Sequence, residues 1–173
     1  MEQGIVQVYT GPGKGKTTAA LGLCLRALGQ GYKVLLVRFL KPFAPPSNEL
    51  SILEKLKDID VVTAGLGGIE ARHRPEELRQ NVGATFDQVL PMILGGYYDL
   101  VVLDEFNPVL DKGYLPMERG LQLLEGKPPG VELVLTGRNA PEEVIRRAQL
   151  VTYMEERRHP FSDGLPARPG IEF

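Results

Sequence analysis

The chain has 173 residues and a formal net charge of −2, and 43% of its residues are hydrophobic. This length suits a single domain spanning residues 1–173, and the hydrophobic content excludes a disordered chain. The slightly acidic balance argues against nucleic acid as a partner. The single cysteine, Cys24, excludes an intrachain disulfide and, within an apolar run, is predicted to be buried.

The N-terminus shows no targeting signal. The sequence MEQGIVQVY leads directly into a predicted strand. No apolar run reaches the ~18 residues that a membrane span requires. We therefore expect a cytoplasmic protein with no membrane partner.

Residues 5–18, IVQVYTGPGKGKTT, predict a strand, a glycine-rich loop and the start of a helix. This is the context of a phosphate-binding loop. Glycines in the loop allow the backbone N–H groups to turn inward, and a helix N-terminus adds to the anion site. Lys16 supplies a positive charge, and Thr17 supplies a hydroxyl suited to Mg²⁺. The alternative is a glycine-rich turn that binds nothing.

The spacing of this loop is unusual. The common pattern is G-x-x-x-x-G-K-[ST], which would place its first glycine at position 10. That position is Thr10, so the loop is one residue shorter and contains an additional lysine, Lys14. The pattern indicates a polyphosphate ligand but not an ordinary ATPase.

Strands and helices alternate along the rest of the chain, which predicts an α/β fold with a mostly parallel sheet flanked by helices. A long helix is predicted to start at Pro75 and to precede the fourth strand. Pro91 either kinks this helix or ends it. Five helices are predicted. The first and fourth span residues 18–28 and 116–125. The second is capped by Ser47 or Asn48 and reaches about residue 57, the third starts at Pro75, and the fifth starts at Pro141. The predicted strands are residues 33–39, 59–63, 100–103, 131–136 and 150–154, followed by an irregular tail.

Polar or glycine-rich segments follow five predicted strands, and ligands of open α/β sheets bind at the carboxyl ends of the strands. These segments are residues 11–18, Lys41, residues 65–68, Asp104-Glu105 and Gly137-Arg138. The acidic pair after LVVL is typical of a Mg²⁺ site beside a phosphate loop, although acidic pairs at loop starts are common. Arg138 and Lys41 are candidates for phosphate contact, with surface positions as the alternative. His73 and His159 lie in no metal-ligand spacing and are predicted to be surface residues.

The sequence resembles the ATP:corrinoid adenosyltransferases of the cob(I)yrinic acid a,c-diamide type over nearly its whole length. The segments that carry the resemblance are YTGPGKGKTTAALGLCLRALGQGYKVLLVRFLK, YYDLVVLDEFNPVLDKGYLP, VELVLTGRNAPEEVI and RPGIEF. The resemblance implies a P-loop NTPase fold with a recombinase-like core, usually as a homodimer. It also implies transfer of the 5′-deoxyadenosyl group of ATP to the Co(I) of a reduced corrinoid, with release of tripolyphosphate and with the triphosphate reversed relative to ordinary phosphate-loop ATPases.

By match to the family motifs, the resemblance assigns roles to individual residues. Lys14 and Lys16 would stabilise the departing triphosphate, and Glu105 would act with them in catalysis. Thr17, Asp104 and Glu105 would hold Mg²⁺. The nucleotide-binding set is Thr10, Gly11, Pro12, Gly13, Lys14, Gly15, Lys16, Thr17, Thr18, Lys41 and Arg138.

Three departures concern the corrinoid half of the site. The first strand begins by Ile5, so the N-terminal lid common in the family is expected to be absent. Lys41-Pro42-Phe43 replaces the common K-G-x-W segment, and residues 65–68 lack the usual aromatic pair. The sequence does not identify which corrinoid is the substrate or what reduces its cobalt. The alternatives are a phosphate-loop kinase or ATPase for a small molecule, and a non-catalytic nucleotide- or corrinoid-binding module.

Overall fold

The computed structural model describes residues 2–42, 48–67, 73–160 and 164–171. Within these ranges, six strands form one sheet in the order β3-β2-β4-β5-β1-β6, and every neighbouring pair is parallel. The predicted α/β class with a parallel sheet is therefore confirmed. The strands are β1 (Val6–Thr10), β2 (Val34–Pro42), β3 (Ile59–Gly65), β4 (Leu100–Asp104), β5 (Glu132–Thr136) and β6 (Leu150–Tyr153).

Helices connect the strands and cover both faces of the sheet. Within the same ranges they are α1 (Lys16–Gly29), α2 (Asn48–Leu53), α3 (Pro75–Leu94), α4 (Phe106–Asp111), α5 (Met117–Gly126) and α6 (Glu142–Ile145). None of these helices combines the length and the apolar character needed to cross a membrane. In the described parts of the tail after β6, no further α-helix or strand occurs.

The sheet has a separate hydrophobic core on each face, because successive side chains of a strand point to opposite sides. On one face, Val34, Leu36 and Val102 pack with Ala20 and Cys24 of α1. On the other face, Phe39 and Phe86 lie against Phe106, with ring centroids 5.3 and 5.9 Å away. Both cores anchor β4, so the position of Asp104 at its end is fixed from both sides of the sheet.

The connections create a crevice at the carboxyl ends of β1 and β5. From β1 the chain passes through α1 towards β2, and from β5 it passes through α6 in the opposite direction to β6. Ligands of doubly wound α/β proteins bind where neighbouring strands lead in opposite directions. The glycine-rich loop between β1 and α1 borders this crevice.

Several boundaries differ from those expected from the sequence. Helix α1 begins at Lys16, so the lysine belongs to its first turn. Strand β2 continues through Lys41 to Pro42, and Lys41 therefore lies within the strand rather than after it. Helix α3 continues through Pro91 to Leu94; burial of Val89 and Ile93 on either side of the proline offsets its lost hydrogen bond and ring clash.

Two further expectations concern short helices. Helix α2 ends at Leu53, four residues earlier than expected; Asn48 is its first residue, and Ser47 lies outside the described residues. Helix α4 was not expected, because asparagine and proline are unfavourable helix formers. Pro108 is tolerated there because it lies in the first turn, where its missing N–H has no intrahelical partner.

Candidate nucleotide and metal site

The loop between β1 and α1 is a close-fitting turn that glycine alone allows. Gly11 and Gly15 have φ of +99° and +115°, in the left-handed region. A Cβ on Gly11 would lie 2.5 Å from the carbonyl oxygen of Met154, and one on Gly13 would lie 2.8 Å from that of Glu155. The Gly13 N–H donates to the Met154 carbonyl over 2.7 Å. The chain after β6 therefore braces the loop from outside.

The Lys16 ammonium group lies inside the loop. Its Nζ donates to the carbonyl oxygens of Gly11 at 2.8 Å and Gly13 at 2.6 Å. Burial lowers the pKa of Lys16 below its usual 10.5, and the nearby positive charge of Arg138 lowers it further. No acidic side chain occupies the first turn of α1, whose N-terminal N–H groups follow directly from Gly15. The loop and helix end thus present several donors and a cation to an anion.

The other loop residues have different surroundings. Arg138 Nη2 donates to the carbonyl of Pro12 at 3.2 Å, which places this guanidinium at the loop. Lys14 is exposed, and its Nζ donates to the carbonyl of Ile171 at 3.1 Å. Thr10 accepts a hydrogen bond from the Ala140 N–H at 3.1 Å. Thr18 is exposed on the first turn of α1.

Asp104 is the centre of a buried hydrogen-bond network. It is 1% exposed, and its Oδ1 accepts hydrogen bonds from the hydroxyls of Thr17 at 2.8 Å and Thr136 at 2.6 Å. The Thr136 hydroxyl also accepts from the backbone N–H of Glu105 at 3.1 Å. The predicted meeting of the phosphate loop with the acidic pair therefore takes place through Thr17 and Asp104.

The second carboxylate oxygen of Asp104, Oδ2, is buried and has no hydrogen-bond partner. An ionised oxygen without a partner is costly to bury, which favours a cation beside it. Thr17 and Glu105 add oxygen donors near this point, and Lys41 Nζ lies 3.6 Å from Glu105 Oε1. Such hard oxygen ligands suit Mg²⁺, which usually takes one or two carboxylates together with waters and substrate phosphates. Among the described residues no cluster of three or more His, Cys, Asp or Glu side chains forms a complete protein cage.

Unusual backbone conformations concentrate at this edge of the sheet. Leu40 near the end of β2, Glu105 directly after β4 and Asn139 in the turn after β5 have φ of +53°, +60° and +55°; Asp58, with φ of +62°, lies before β3 at the opposite edge. Non-glycine residues in this region are uncommon, and they persist where the surrounding structure holds them. Clustering of such residues at one edge is typical of a binding or catalytic site.

Sequence reasoning missed three polar residues of this region. Thr136 ends a buried strand and binds both members of the acidic pair. Asn107 is fully buried, and its amide donates to the carbonyls of Tyr9 at 3.3 Å and Gly137 at 3.1 Å, which ties β1 to the turn after β5. Arg38 is a lone charge within the apolar run of β2. A single charge in an apolar strand could have identified Arg38 as a candidate site residue. The roles of Thr136 and Asn107 could not be read from the sequence, because they depend on which strands are neighbours.

The chain matches the family described as "ATP:corrinoid adenosyltransferase BtuR/CobO/CobP" over residues 2–173. The chain belongs to this family. Its relatives include the corrinoid adenosyltransferases of Pseudomonas aeruginosa, 34% identical over 99% of this chain and 85% of that protein, and of Escherichia coli K12, 31% identical over 99% and 87%. The corrinoid adenosyltransferase of a Sinorhizobium species is 36% identical over 99% and 81%.

Among solved structures, domain III of the Thermotoga maritima replication initiation protein DnaA aligns with a TM-score of 0.42. The two share 14% sequence identity over 87% of this chain and 54% of that chain, which is too little to carry an argument. Family membership therefore rests on the sequence matches.

Proposed function

We propose that this protein is an ATP:corrinoid adenosyltransferase, in a single phosphate-loop domain spanning residues 1–173. It transfers the 5′-deoxyadenosyl group of ATP to the Co(I) of a reduced corrinoid and releases tripolyphosphate. Family membership over residues 2–173 supports the reaction. The observation that carries the site assignment is the contact of Thr17 with Asp104, which joins the phosphate loop to a buried carboxylate.

The nucleotide's triphosphate binds in the glycine-rich loop. The N–H groups at the start of α1 and the Lys16 ammonium supply the attraction, and the shortened loop is a reason to expect the reversed triphosphate orientation of this family. Binding requires Lys16 to exchange its contacts with the Gly11 and Gly13 carbonyls for phosphate oxygens. Thr10 ends β1 directly before the loop, Pro12 lies in the loop, and Thr18 follows it in the first turn of α1. Arg138 contacts the loop at Pro12, whereas Lys41 lies beside Glu105.

Mg²⁺ would be held by the Thr17 hydroxyl and by the carboxylates of Asp104 and Glu105. The unpartnered Asp104 Oδ2 and the oxygen-rich donor set support this assignment. When bound, Mg²⁺ neutralises charge on the triphosphate. Thr136 and Thr17 both donate to Oδ1, which fixes the orientation of the Asp104 carboxylate.

The chemistry requires little from the protein beyond positioning and charge. Co(I) supplies the electron pair for the new cobalt–carbon bond, and the C5′–O bond breaks with its electron pair leaving on tripolyphosphate. No general base is needed, because no proton is removed. Lys14, Lys16 and the loop N–H groups stabilise the developing charge on the leaving group, and the protein holds C5′ in line with the incoming nucleophile.

Lys14 has a special position in this scheme. Its ammonium reaches the carbonyl of Ile171 rather than the interior of the loop, so its contribution to the triphosphate requires the side chain to reorient. Glu105 directly follows β4 and would contribute its carboxylate to the metal ion; its Oε1 lies 3.6 Å from Lys41 Nζ. We further propose a cytoplasmic homodimer that receives its Co(I) corrinoid from a separate electron donor.

An anaerobic assay tests the reaction. The full-length protein is incubated with ATP, Mg²⁺ and chemically reduced cobalamin or cobinamide, while absorbance follows cobalt–carbon bond formation and chromatography identifies the phosphate product. We expect tripolyphosphate in equal amount to the adenosylated corrinoid. Lys16→Ala should abolish turnover, whereas Lys33→Ala, an exposed lysine before β2 at the opposite edge of the sheet, should retain it. Orthophosphate released without any corrinoid would instead identify an ATPase.

A further inference from the structure

Arg38 is a buried cation that the site described so far does not use. It is 6% exposed and lies in β2 among apolar residues. Its Nη1 nitrogen is buried and has no hydrogen-bond partner. Arginine keeps its charge in proteins, so this position cannot be relieved by deprotonation. A buried guanidinium with an unused donor indicates a ligand beside it.

The position of Arg38 puts it next to the metal site. In the register of the parallel pair β2–β4, Arg38 is the partner of Asp104. Both lie on the α1 face of the sheet, because Val34, Leu36 and Val102, at alternate positions of the same strands, pack against that helix. Thr17 and Lys16 begin α1 on this face. Arg38 therefore flanks Asp104 on the side away from Thr136 and β5.

Two buried, unpartnered atoms of opposite charge thus occur on neighbouring strands. Arg38 Nη1 and Asp104 Oδ2 each have no hydrogen-bond partner, so they are not bonded to each other. A cation at Oδ2 alone would repel the guanidinium. An anion shared between that cation and Arg38 satisfies both, since it coordinates the cation and accepts from Nη1.

The backbone of β2 also becomes irregular directly after Arg38. The register with β3 shifts between Arg38 and Pro42, and Leu40 has φ of +53°. Irregular strand segments re-aim neighbouring side chains and are frequent beside active sites. This irregularity turns the end of β2 towards the same edge, where Lys41 approaches Glu105.

We propose that Arg38 binds an anionic oxygen of the polyphosphate chain, opposite the glycine-rich loop across the metal site. The inference rests on the proposed function for the identity of the polyphosphate as the triphosphate of ATP. A guanidinium fork suits phosphate oxygens, and its charge offsets the multiple negative charge of the chain. Arg38 is then a substrate-binding residue that keeps hold of tripolyphosphate after the C5′–O bond has broken.

The test measures binding of Mg²⁺ and tripolyphosphate to the full-length protein by isothermal titration calorimetry, with no corrinoid present. Arg38→Gln keeps a polar side chain but removes the charge. We expect its affinity to fall by about tenfold or more, the loss typical of a hydrogen bond to a charged group. Arg38→Lys should recover part of that loss. Arg79→Gln, which removes an exposed arginine paired with Glu76 on α3, should leave the affinity unchanged.

Thermal unfolding of the ligand-free variants separates this role from a structural one. If Arg38 only balances the charge of Asp104, Arg38→Gln will lower the melting temperature while the tripolyphosphate affinity stays within about twofold of the parent. That result overturns the inference, as does a parent protein that binds no tripolyphosphate. If Arg38→Gln does not fold, Arg38→Lys decides, because unchanged affinity in that variant contradicts a contact that needs the guanidinium fork. If tripolyphosphate binding depends on Arg38 but the protein forms no cobalt–carbon bond, the proposed function is refuted and the inference about Arg38 stands.

Discussion

Lys16 combines two opposing requirements in a single side chain. In its proposed role it must be protonated to attract phosphate, yet burial in the loop and the positive charge of Arg138 lower its pKa below 10.5. We expect the affinity for Mg²⁺-tripolyphosphate to fall as pH rises through this lowered pKa. The fall should occur at a lower pH than it would for a lysine of ordinary pKa. Calorimetric titrations between about pH 7 and pH 10 would measure it. Lys16→Arg, whose guanidinium stays charged, should give a flatter profile, and identical profiles for the two proteins would contradict the assignment.

The lowered pKa of Lys16 affects the stability of the ligand-free protein in the opposite direction: stability rises with pH, whereas ligand affinity falls. Because the folded-state pKa of Lys16 is lowered relative to the unfolded chain, the folded state binds fewer protons in the interval between the two pKa values. The contribution of Lys16 to stability therefore rises with pH through that interval. Ligand binding and folding thus respond to high pH in opposite directions at this residue.

Individual site residues were predictable where local sequence decides their position. The meeting of Thr17 with Asp104 follows from a strand–loop–helix at β1 and an acidic pair at the end of β4. Thr136 and Arg38 were not predictable, because their relation to Asp104 depends on which strands are neighbours and on their register. Such long-range pairings leave no local pattern in one sequence.

At the scale of elements, two helical glycines with different surroundings give a direct test of packing. A Cβ on Gly22 of α1 would meet nothing within 4 Å, whereas one on Gly120 of α5 would lie 2.8 Å from Leu110 Cδ2. Gly22→Ala should raise the free energy of unfolding by about 0.5–1 kcal/mol, because alanine loses less backbone entropy in a helix. Gly120→Ala should lower it by about 1 kcal/mol or more through overpacking of the buried Leu110. Urea unfolding of both variants measures the difference, and equal effects would contradict the described packing.

Element types were more predictable than element ends. All six strands were expected. For β2, β4 and β5 the reason is that buried parallel strands are near-continuous apolar runs. The extension of β2 to Pro42 was missed, since its last residues pair irregularly with β3 and depend on that neighbour. Helix α4 was missed because its stability comes from burial of Phe106 and Val109 in the core rather than from helix propensity.

For the molecule as a whole, the single cysteine reports opening of the fold. Cys24 is fully buried under the sheet, and burial raises the pKa of its thiol to about 12. We expect the native protein to react with a thiol reagent such as DTNB only through unfolding. Saturation with Mg²⁺-ATP at 100 times its Kd should slow the reaction by about 100-fold, because the ligand stabilises the folded state alone. Rapid labelling that ATP does not affect would show that α1 opens locally.

The phosphate loop is braced by residues that the ribosome adds much later. Gly13 donates to Met154, and Lys14 donates to Ile171, across sequence separations of 141 and 157 residues. β6 also pairs directly with β1, the strand that carries the loop. A nascent chain that has emerged only as far as β5 therefore carries the glycine-rich loop and Asp104, but neither Arg138 nor the outer support of the loop. The loop therefore gains this outer support only once residues 150–171 have been translated, well after the loop itself.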